Sequence, residues 1–203
     1  SNRTPWVCHC TTLRTWPRLR LHPDDVDPDR ADAILARLLG WDFSWRPVKP
    51  LTLQWAYRDV PRRVVAEELL RDRDGRLPDD LKVMVSHGRP ELIVVERVDG
   101  NGQRRTPAFT PDWRRPLGAP PVPDVPRPIN LDLALDLARR IAGDLDFLRV
   151  DLYDLGDRVL VGETTVYPLG GADPGPADSF TDFICPGWDP TRVVPRRTTT
   201  GPA

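Results

Sequence analysis

The sequence contains very little lysine. Lys49 and Lys82 are the only two lysines among 203 residues, so arginine supplies nearly all of the positive charge. Lysine and arginine together number 29 against 30 aspartates and glutamates, which gives a net charge of −1 at pH 7. Nucleic-acid binding requires a basic surface that neutralises backbone phosphates. The balanced charge therefore argues against a nucleic-acid partner.

Cysteine is also scarce, and long apolar runs are missing. The three cysteines, Cys8, Cys10 and Cys185, are too few and too odd in number for the disulfide framework of a secreted protein. The Cys8-His9-Cys10 cluster lacks the spacing and the further ligands of a zinc site, which makes metal binding there the weaker interpretation. No run is long enough to cross a bilayer, and the first ten residues show no signal-peptide pattern. We expect a cytoplasmic protein without a transmembrane segment.

Proline, in contrast, is abundant, with 24 residues. It is densest in RRPLGAPPVPDVPRP, residues 114–128, which cannot form a helix or a central strand. This composition predicts a semi-rigid connector in the polyproline II conformation. Residues 189–203 carry no periodicity, which predicts a loose tail.

Two segments have helical periodicity. PDRADAILARLLG, residues 28–40, places its apolar residues on one face, and Gly40 suits a C-terminal cap. A second helix begins at Asn130, whose side chain we expect to cap the N-terminus. The residues predicted to face the core from this helix are Ala134, Leu137, Ala138, Ile141 and Leu145.

Three segments have the composition of strands. RRVVAEELL, residues 62–70, predicts a strand that runs into a loop. Residues 80–109 predict a meander with turns at residues 87–90 and 99–102. Residues 149–168 predict a hairpin around a tight acidic turn. Helices that alternate with groups of hairpin-connected strands indicate an α+β fold with mainly antiparallel sheet.

The hairpin carries charges where a structural hairpin needs none. Side chains two apart along a strand share a face, so Arg149 lies on the face of Asp151, and Glu163 on that of Thr165. An even-numbered loop would put Asp151 and Glu163 on opposite faces, whereas an odd loop or a bulge would bring them together. If they converge, the two carboxylates suit Mg²⁺ and Arg149 faces a phosphate. The alternative is that Arg149 forms a partly buried ion pair in a purely structural hairpin.

Residues 147–171, FLRVDLYDLGDRVLVGETTVYPLGG, resemble the metal-binding hairpin of ATP-grasp enzymes. The resemblance is strongest to the TupA-like ATP-grasp family, which is associated with teichuronopeptide synthesis. Further blocks resemble that family in the same order: RVVAEELL, GRLPDDLKVMVSHGRPELIVVE, FTPDWRRP and NLDLALDLARRI. The resemblance implies that Asp151, Glu163 and Thr165 bind magnesium and that Arg149 stabilises the transferring phosphoryl group. Metal and arginine around a γ-phosphate form a sufficient core for phosphoryl transfer, which needs mainly positioning and charge neutralisation.

The resemblance also implies a nucleotide site. It places Glu67, Glu68 and Leu70 at the hinge between the lobes, where backbone groups would bind adenine and an acidic side chain the ribose. It gives Lys82 a contact with nucleotide phosphate. On pattern alone, the two glutamates are a solvated strand end and Lys82 is a surface residue.

Two further family positions are less informative. Arg105 and the pair Asp112-Trp113 match positions that shape the acceptor side. The residue types alone do not indicate that role, and Trp113 is better explained as a residue that packs in the core.

A glycine-rich phosphate loop, preceded by a lysine, is the feature that the resemblance implies and the sequence lacks. Gly40 is the first glycine, and CHCTTLRTWPRLRLH has neither helical nor strand periodicity. A fragment, a damaged or misassigned reading frame, or a degenerate homologue would each explain this. We expect residues 1–60 to be the remainder of an incomplete amino-terminal lobe, residues 61–185 the carboxy-terminal lobe, and residues 186–203 a flexible tail.

By resemblance, the function is that of a carboxylate–amine ligase that uses ATP and Mg²⁺ and forms an acyl phosphate. Its substrates would be a carboxylate and an amine, and its setting cell-surface polysaccharide or teichuronopeptide-like synthesis. Ligation would need the missing phosphate loop to be supplied. The alternative is a degenerate, non-catalytic homologue that acts as a binding or scaffold module.

Overall fold

The computed structural model describes residues 6–10, 19–21, 27–39, 61, 64–98, 103–117, 119, 125–166, 168, 189 and 191–192. The chain divides into two compact units, one of residues 1–70 with 167–173 and one of residues 71–166 with 174–203. None of the described helices is long and apolar enough to span a membrane.

The described residues of the first unit form a three-stranded antiparallel sheet and one helix. Strand β1 (Trp6–Cys10) lies between β2 (Leu19–Leu21) and β3 (Val64–Glu68), and helix α1 covers Pro28–Leu39. The predictions of a helix near residues 28–40 and of a strand within 62–70 are confirmed, although Gly40 lies outside the described residues. The early sequence lacks strand periodicity but contributes β1 and β2, and β1 is held by backbone pairing on both sides.

The second unit is built on a six-stranded antiparallel sheet and helix α2 (Leu131–Ala142). The sheet order is β6-β5-β4-β8-β9, and β7 also pairs with β5. Its strands are β4 (Asp80–Ser86), β5 (Arg89–Val98), β6 (Arg104–Arg105), β7 (Ala108–Phe109), β8 (Phe147–Asp154) and β9 (Val159–Thr165). This arrangement confirms the predicted meander, hairpin and α+β class.

The turn between β4 and β5 is the predicted one at residue 87. Ser86 pairs with Arg89, so His87 and Gly88 form a two-residue loop. Both have positive φ, 47° and 75°, which is the combination a type I′ turn requires and which suits the right-handed twist of the strands. The turn predicted at residues 99–102 lies outside the described residues.

Helix α2 packs on one face of this sheet. Alternate residues of β4, β5 and β8 form the core beneath it, including Val83, Ile93 and Val150, all fully buried. The helix contributes Leu131, Ala134, Ala138 and Ala142. The predicted burial of Ile141 and Leu145 is wrong, since they are 37% and 45% exposed. The predicted burial of Ala134 and Ala138 is confirmed, and these small residues, with Leu131 and Ala142, allow a close approach to the sheet.

Asn130 starts α2 as predicted, but it does not cap the helix with its side chain. Its side-chain amide donates a hydrogen bond of 2.7 Å to Asp154 Oδ1, and its backbone N–H donates one of 2.8 Å to Asp154 Oδ2. The carboxylate of Asp154 therefore ties the start of the helix to the end of β8. The Asn130 side-chain amide therefore acts as a donor to Asp154 and not as a helix cap.

Candidate functional site

A bulge decides which way Glu163 points. The turn is even-numbered: Asp154 pairs with Val159, and Leu155 donates a backbone hydrogen bond of 3.0 Å to Arg158. A regular ladder would therefore set Asp151 opposite Gly162. The register instead shifts between Leu152 and Asp151, so that Asp151 pairs directly with Glu163. The extra residue brings both carboxylates to one face of the sheet.

That face is the one turned away from α2, and Asp151 is central to it. Asp151 is 2% exposed and accepts two hydrogen bonds from the guanidinium of Arg149, at 2.6 Å to Oδ1 and 2.8 Å to Oδ2. Arg149 also lies 3.7 Å from Glu163 Oε2. The ion pair between Arg149 and Asp151, which a purely structural hairpin would also contain, is therefore present. It lies beside the carboxylate of Glu163.

Lys82 approaches Asp151 from the neighbouring strand. The two residues are paired in register, and Lys82 Nζ lies 2.7 Å from Asp151 Oδ2. The same ammonium lies 2.5 Å from Asp80 Oδ2 and 3.7 Å from Glu96 Oε2. The Lys82 side chain is only 16% exposed, so it is not the surface lysine that its position at a strand start favours.

Asp80, Glu96 and Arg104 were not recognised from the sequence as members of this group. Asp80 pairs with Glu96 across β4 and β5, and Arg104 from β6 contacts Glu96. The only sequence signal was the position of Asp80 two residues before Lys82, which puts both on one face of a strand. We call the whole line the charged row. It consists of Arg104, Glu96, Asp80, Lys82, Asp151, Arg149 and Glu163.

Burial and neighbouring charges shift the pKa values of three residues in the charged row. Burial raises the pKa of Asp80 to about 6; Lys82 opposes that rise, whereas the carboxylates of Asp151 and Glu96 add to it. Burial alone would lower the pKa of Lys82, but Asp80 and Asp151 outweigh it and the pKa is raised. The pKa of Arg149 is likewise raised, because its attraction to Asp151 exceeds the cost of burial. Both cations therefore remain charged at neutral pH.

The two remaining predicted metal ligands lie at the edge of the row. Glu163 has a side chain 59% exposed to solvent, whereas Thr165 is buried. Thr165 Oγ1 donates a hydrogen bond of 3.1 Å to Glu163 Oε1. Asp151, Glu163 and Thr165 thus form a set of oxygen donors on paired strands, the chemistry that Mg²⁺ prefers.

This donor set fits magnesium but does not amount to a dedicated metal cage. Among the residues that the structure describes, no three His, Cys, Asp or Glu side chains gather into a group that would hold a metal by themselves. Mg²⁺ commonly binds through one or two carboxylates and takes its other ligands from water and substrate phosphates. Two carboxylates are therefore sufficient for the predicted role.

The predicted hinge residues lie in the first unit. Glu67 and Glu68 are the last two residues of β3 and pair with Val7 and Trp6, while Leu70 follows the strand and is partly buried. The side chains of the two glutamates lie outside the described part of the structure. In the described part of this sheet β3 is an edge strand, so one side of its backbone faces no partner strand there. The adenine-binding role of these residues stays a prediction.

The residues suggested for the acceptor side lie in the second unit. Trp113 stacks on Phe109 with ring centroids 4.2 Å apart and packs against the core, which confirms its role as a packing anchor. Asp112 is exposed and accepts a hydrogen bond from Thr110. Arg105 is exposed on β6, where it donates a hydrogen bond of 2.7 Å to Gln103. No substrate role follows from these contacts.

Comparison with known proteins identifies the family. The sequence model described as TupA-like ATPgrasp matches residues 52–183, which is more than half of the chain and includes the hairpin and the charged row. The chain belongs to the TupA-like ATP-grasp family. The resemblance seen in the sequence is thereby confirmed. A search of curated proteins gave no significant match.

Solved structures of ATP-grasp ligases are similar at low identity. The ligase PsnB complexed with a minimal precursor shares 16% identity, with a TM-score of 0.41, over 81% of this chain and 40% of that one. The D-alanine–D-alanine ligase from Bacillus anthracis complexed with ATP shares 14% identity, with a TM-score of 0.34, over 81% of this chain and 51% of that one. This TupA-like chain thus spans about two fifths of the length of the first structure. The family assignment depends on the sequence match.

Proposed function

We propose that this TupA-like chain provides the magnesium- and phosphate-binding part of an ATP-dependent carboxylate–amine ligase. The observation that carries the proposal is the direct pairing of Asp151 with Glu163 on the face where Arg149 and Lys82 also lie. Two acidic and two basic side chains converge there from three strands. Such an arrangement suits a nucleotide phosphate with its divalent counter-ion.

Each residue of the site has a separate task in this proposal. Asp151, Glu163 and Thr165 would hold Mg²⁺, which neutralises phosphate oxygens when bound. Arg149 has N–H groups beyond the two that it donates to Asp151, and these are available to the transferring phosphoryl group. Lys82 contributes a second positive charge. The Glu67–Leu70 segment would bind adenine and ribose.

The reaction would proceed in two steps. The substrate carboxylate attacks the γ-phosphorus of ATP, and ADP leaves with the electrons of the broken bond, which yields an acyl phosphate. A neutral amine then attacks the acyl carbon, phosphate leaves with the electrons of the C–O bond and with the proton lost from nitrogen, and an amide forms. Arg149 stabilises the charge on the phosphoryl oxygens through both steps, because it is held in place by Asp151. Cell-surface polysaccharide or teichuronopeptide-like synthesis is the setting that we propose from the family.

Nucleotide binding tests this proposal before ligation does, because binding needs fewer parts of the site. We expect Mg²⁺ to strengthen the binding of ATP, measured by calorimetry, and Glu163→Gln to remove most of that strengthening, on the order of tenfold in Kd. The matched control is Asp157→Asn, which changes an exposed carboxylate in the turn of the same hairpin. If neither the native chain nor the control binds ATP with Mg²⁺, the protein is instead a non-catalytic binding or scaffold homologue.

A further inference from the structure

Asp151 accepts hydrogen bonds from two positively charged side chains, Arg149 and Lys82. An ionised carboxylate offers about four lone-pair positions. Arg149 occupies two of them and Lys82 occupies a third, at 2.6, 2.8 and 2.7 Å. A divalent cation bound by Asp151 would share this carboxylate with two positive groups. Positive groups that share one buried carboxylate repel each other strongly. One of the two side chains must therefore move away from Asp151 when the divalent cation binds.

Lys82 is the side chain that can move away from Asp151. The guanidinium of Arg149 is held by two parallel hydrogen bonds, whereas Lys82 makes a single bond to Asp151 on a flexible stem. The Lys82 ammonium already has another partner, Asp80, at 2.5 Å, and a third carboxylate, Glu96, at 3.7 Å. A small movement away from Asp151 therefore keeps it among carboxylates.

Asp80 has unused capacity to receive this ammonium. The residue is 4% exposed, and its Oδ1 is buried and accepts no hydrogen bond from the residues that the structure describes. A buried acceptor without a donor is costly and rare in native proteins. The Asp80 Oδ1 atom would gain a donor if Lys82 moved to a second position, in which its ammonium donates hydrogen bonds to both oxygens of Asp80.

We propose that Lys82 is an exchangeable counter-ion of Asp151, displaced by the divalent cation and received by Asp80 and Glu96. This inference rests on the proposed function, because it assumes that Asp151 and Glu163 bind a divalent cation. Lys82 keeps Asp151 neutralised when no cation is bound. When the cation binds, the Lys82 ammonium moves to Asp80 and Glu96 but stays close to the cation. Its positive charge then lies where we expect the nucleotide phosphates.

The two-lysine composition allows a direct test on the native protein. Lysine labelled with ¹³C at Cε should give two NMR signals, and Lys49→Arg identifies the signal of Lys82. Addition of Mg²⁺ to saturation, judged by displacement of bound Mn²⁺, should shift the Lys82 signal, and Asp151→Asn should abolish the shift. A Lys82 signal that stays unchanged at saturation would overturn the inference.

Binding of Mn²⁺ alone provides the second test. We expect Lys82→Gln to raise Mn²⁺ affinity about tenfold, because it removes the competing cation. Lys82→Arg should leave the affinity at or below the native value, because a guanidinium still competes for Asp151. Asp80→Asn should lower the affinity in the native background. Most of that loss should disappear in the Lys82→Gln background, because Asp80 acts through Lys82.

The outcomes separate this inference from the proposed function. If Mn²⁺ with ADP binds in a manner that depends on Glu163, but Lys82→Gln lowers Mn²⁺ affinity or leaves it unchanged, only the exchange of Lys82 is refuted. If no variant binds Mn²⁺ with or without ADP, the proposed function and the exchange are refuted together.

Discussion

Replacing Asp80 with asparagine should stabilise the protein at neutral pH, although it removes an ion pair. Burial raises the pKa of this carboxyl from 3.8 to about 6, even with Lys82 beside it. The side chain is only 6% exposed, so solvent does little to reduce the effect. A shift of about two pKa units corresponds to about 3 kcal/mol, at 1.36 kcal/mol per unit. The ionised carboxylate costs the folded state this much relative to its neutral form.

The pH dependence has a definite sign. Between pH 3.8 and about 6 the folded state retains a proton on Asp80 that the unfolded state has released. The free energy of unfolding therefore falls as the pH rises through this window, and the full cost is present above pH 6. Asparagine does not ionise and avoids the cost. The variant should match the native protein near pH 4 and exceed it by up to about 3 kcal/mol near pH 8.

Urea denaturation at a series of pH values measures this difference. Asp157→Asn is the control, because it removes an exposed carboxylate whose contact is a surface ion pair with Arg158, and its effect should stay within about 0.5 kcal/mol at every pH. If Asp80→Asn is less stable than the native protein at pH 8, then the bond from Lys82 outweighs burial and the argument is wrong.

Three further changes test the structure around the site. Asp154→Ala removes the acceptor for the backbone and side chain of Asn130 and for the Gly156 N–H, and should cost about 2 to 4 kcal/mol in urea denaturation. Gly162→Ala places a β-carbon 2.6 Å from the Tyr153 ring, so we expect a loss of about 1 to 3 kcal/mol together with weaker Mn²⁺ binding. Leu152→Ala opens a cavity in the core and should cost about 2 to 5 kcal/mol without selectively weakening Mn²⁺ binding.

Local patterns predicted most of the second unit because each segment there has one strong signal. The strand composition of residues 80–98 and 147–165, and the His87-Gly88 turn, are short-range features that the structure keeps. The face of α2 was predicted less well. Ala134 and Ala138 were predicted to face the core and do so, but only contact with the sheet excludes Ile141 and Leu145 and selects Leu131 and Ala142.

The charged row was harder to predict, because its members come from five strands. Arg149, Asp151 and Glu163 were recognised within one hairpin. Asp80 and Glu96 were not, since their proximity to Asp151 depends on the sheet order β5-β4-β8. Local sequence patterns do not show that β4, which is distant along the chain, pairs with the hairpin of β8 and β9. Long-range pairing therefore carries the information that local patterns lack.

The register of the hairpin shows how small that missing information can be. The loop is even-numbered, which by simple pairing would send Glu163 to the face that carries Val150 and Leu152, where α2 packs. A single unpaired residue, Gly162, reverses this outcome. A residue with a side chain would meet the ring of Tyr153 at that position, so glycine is what the bulge permits. The convergence of Asp151 and Glu163, and with it the case for a divalent cation, therefore depends on one glycine whose neighbours Val161 and Glu163 give no sign of a bulge.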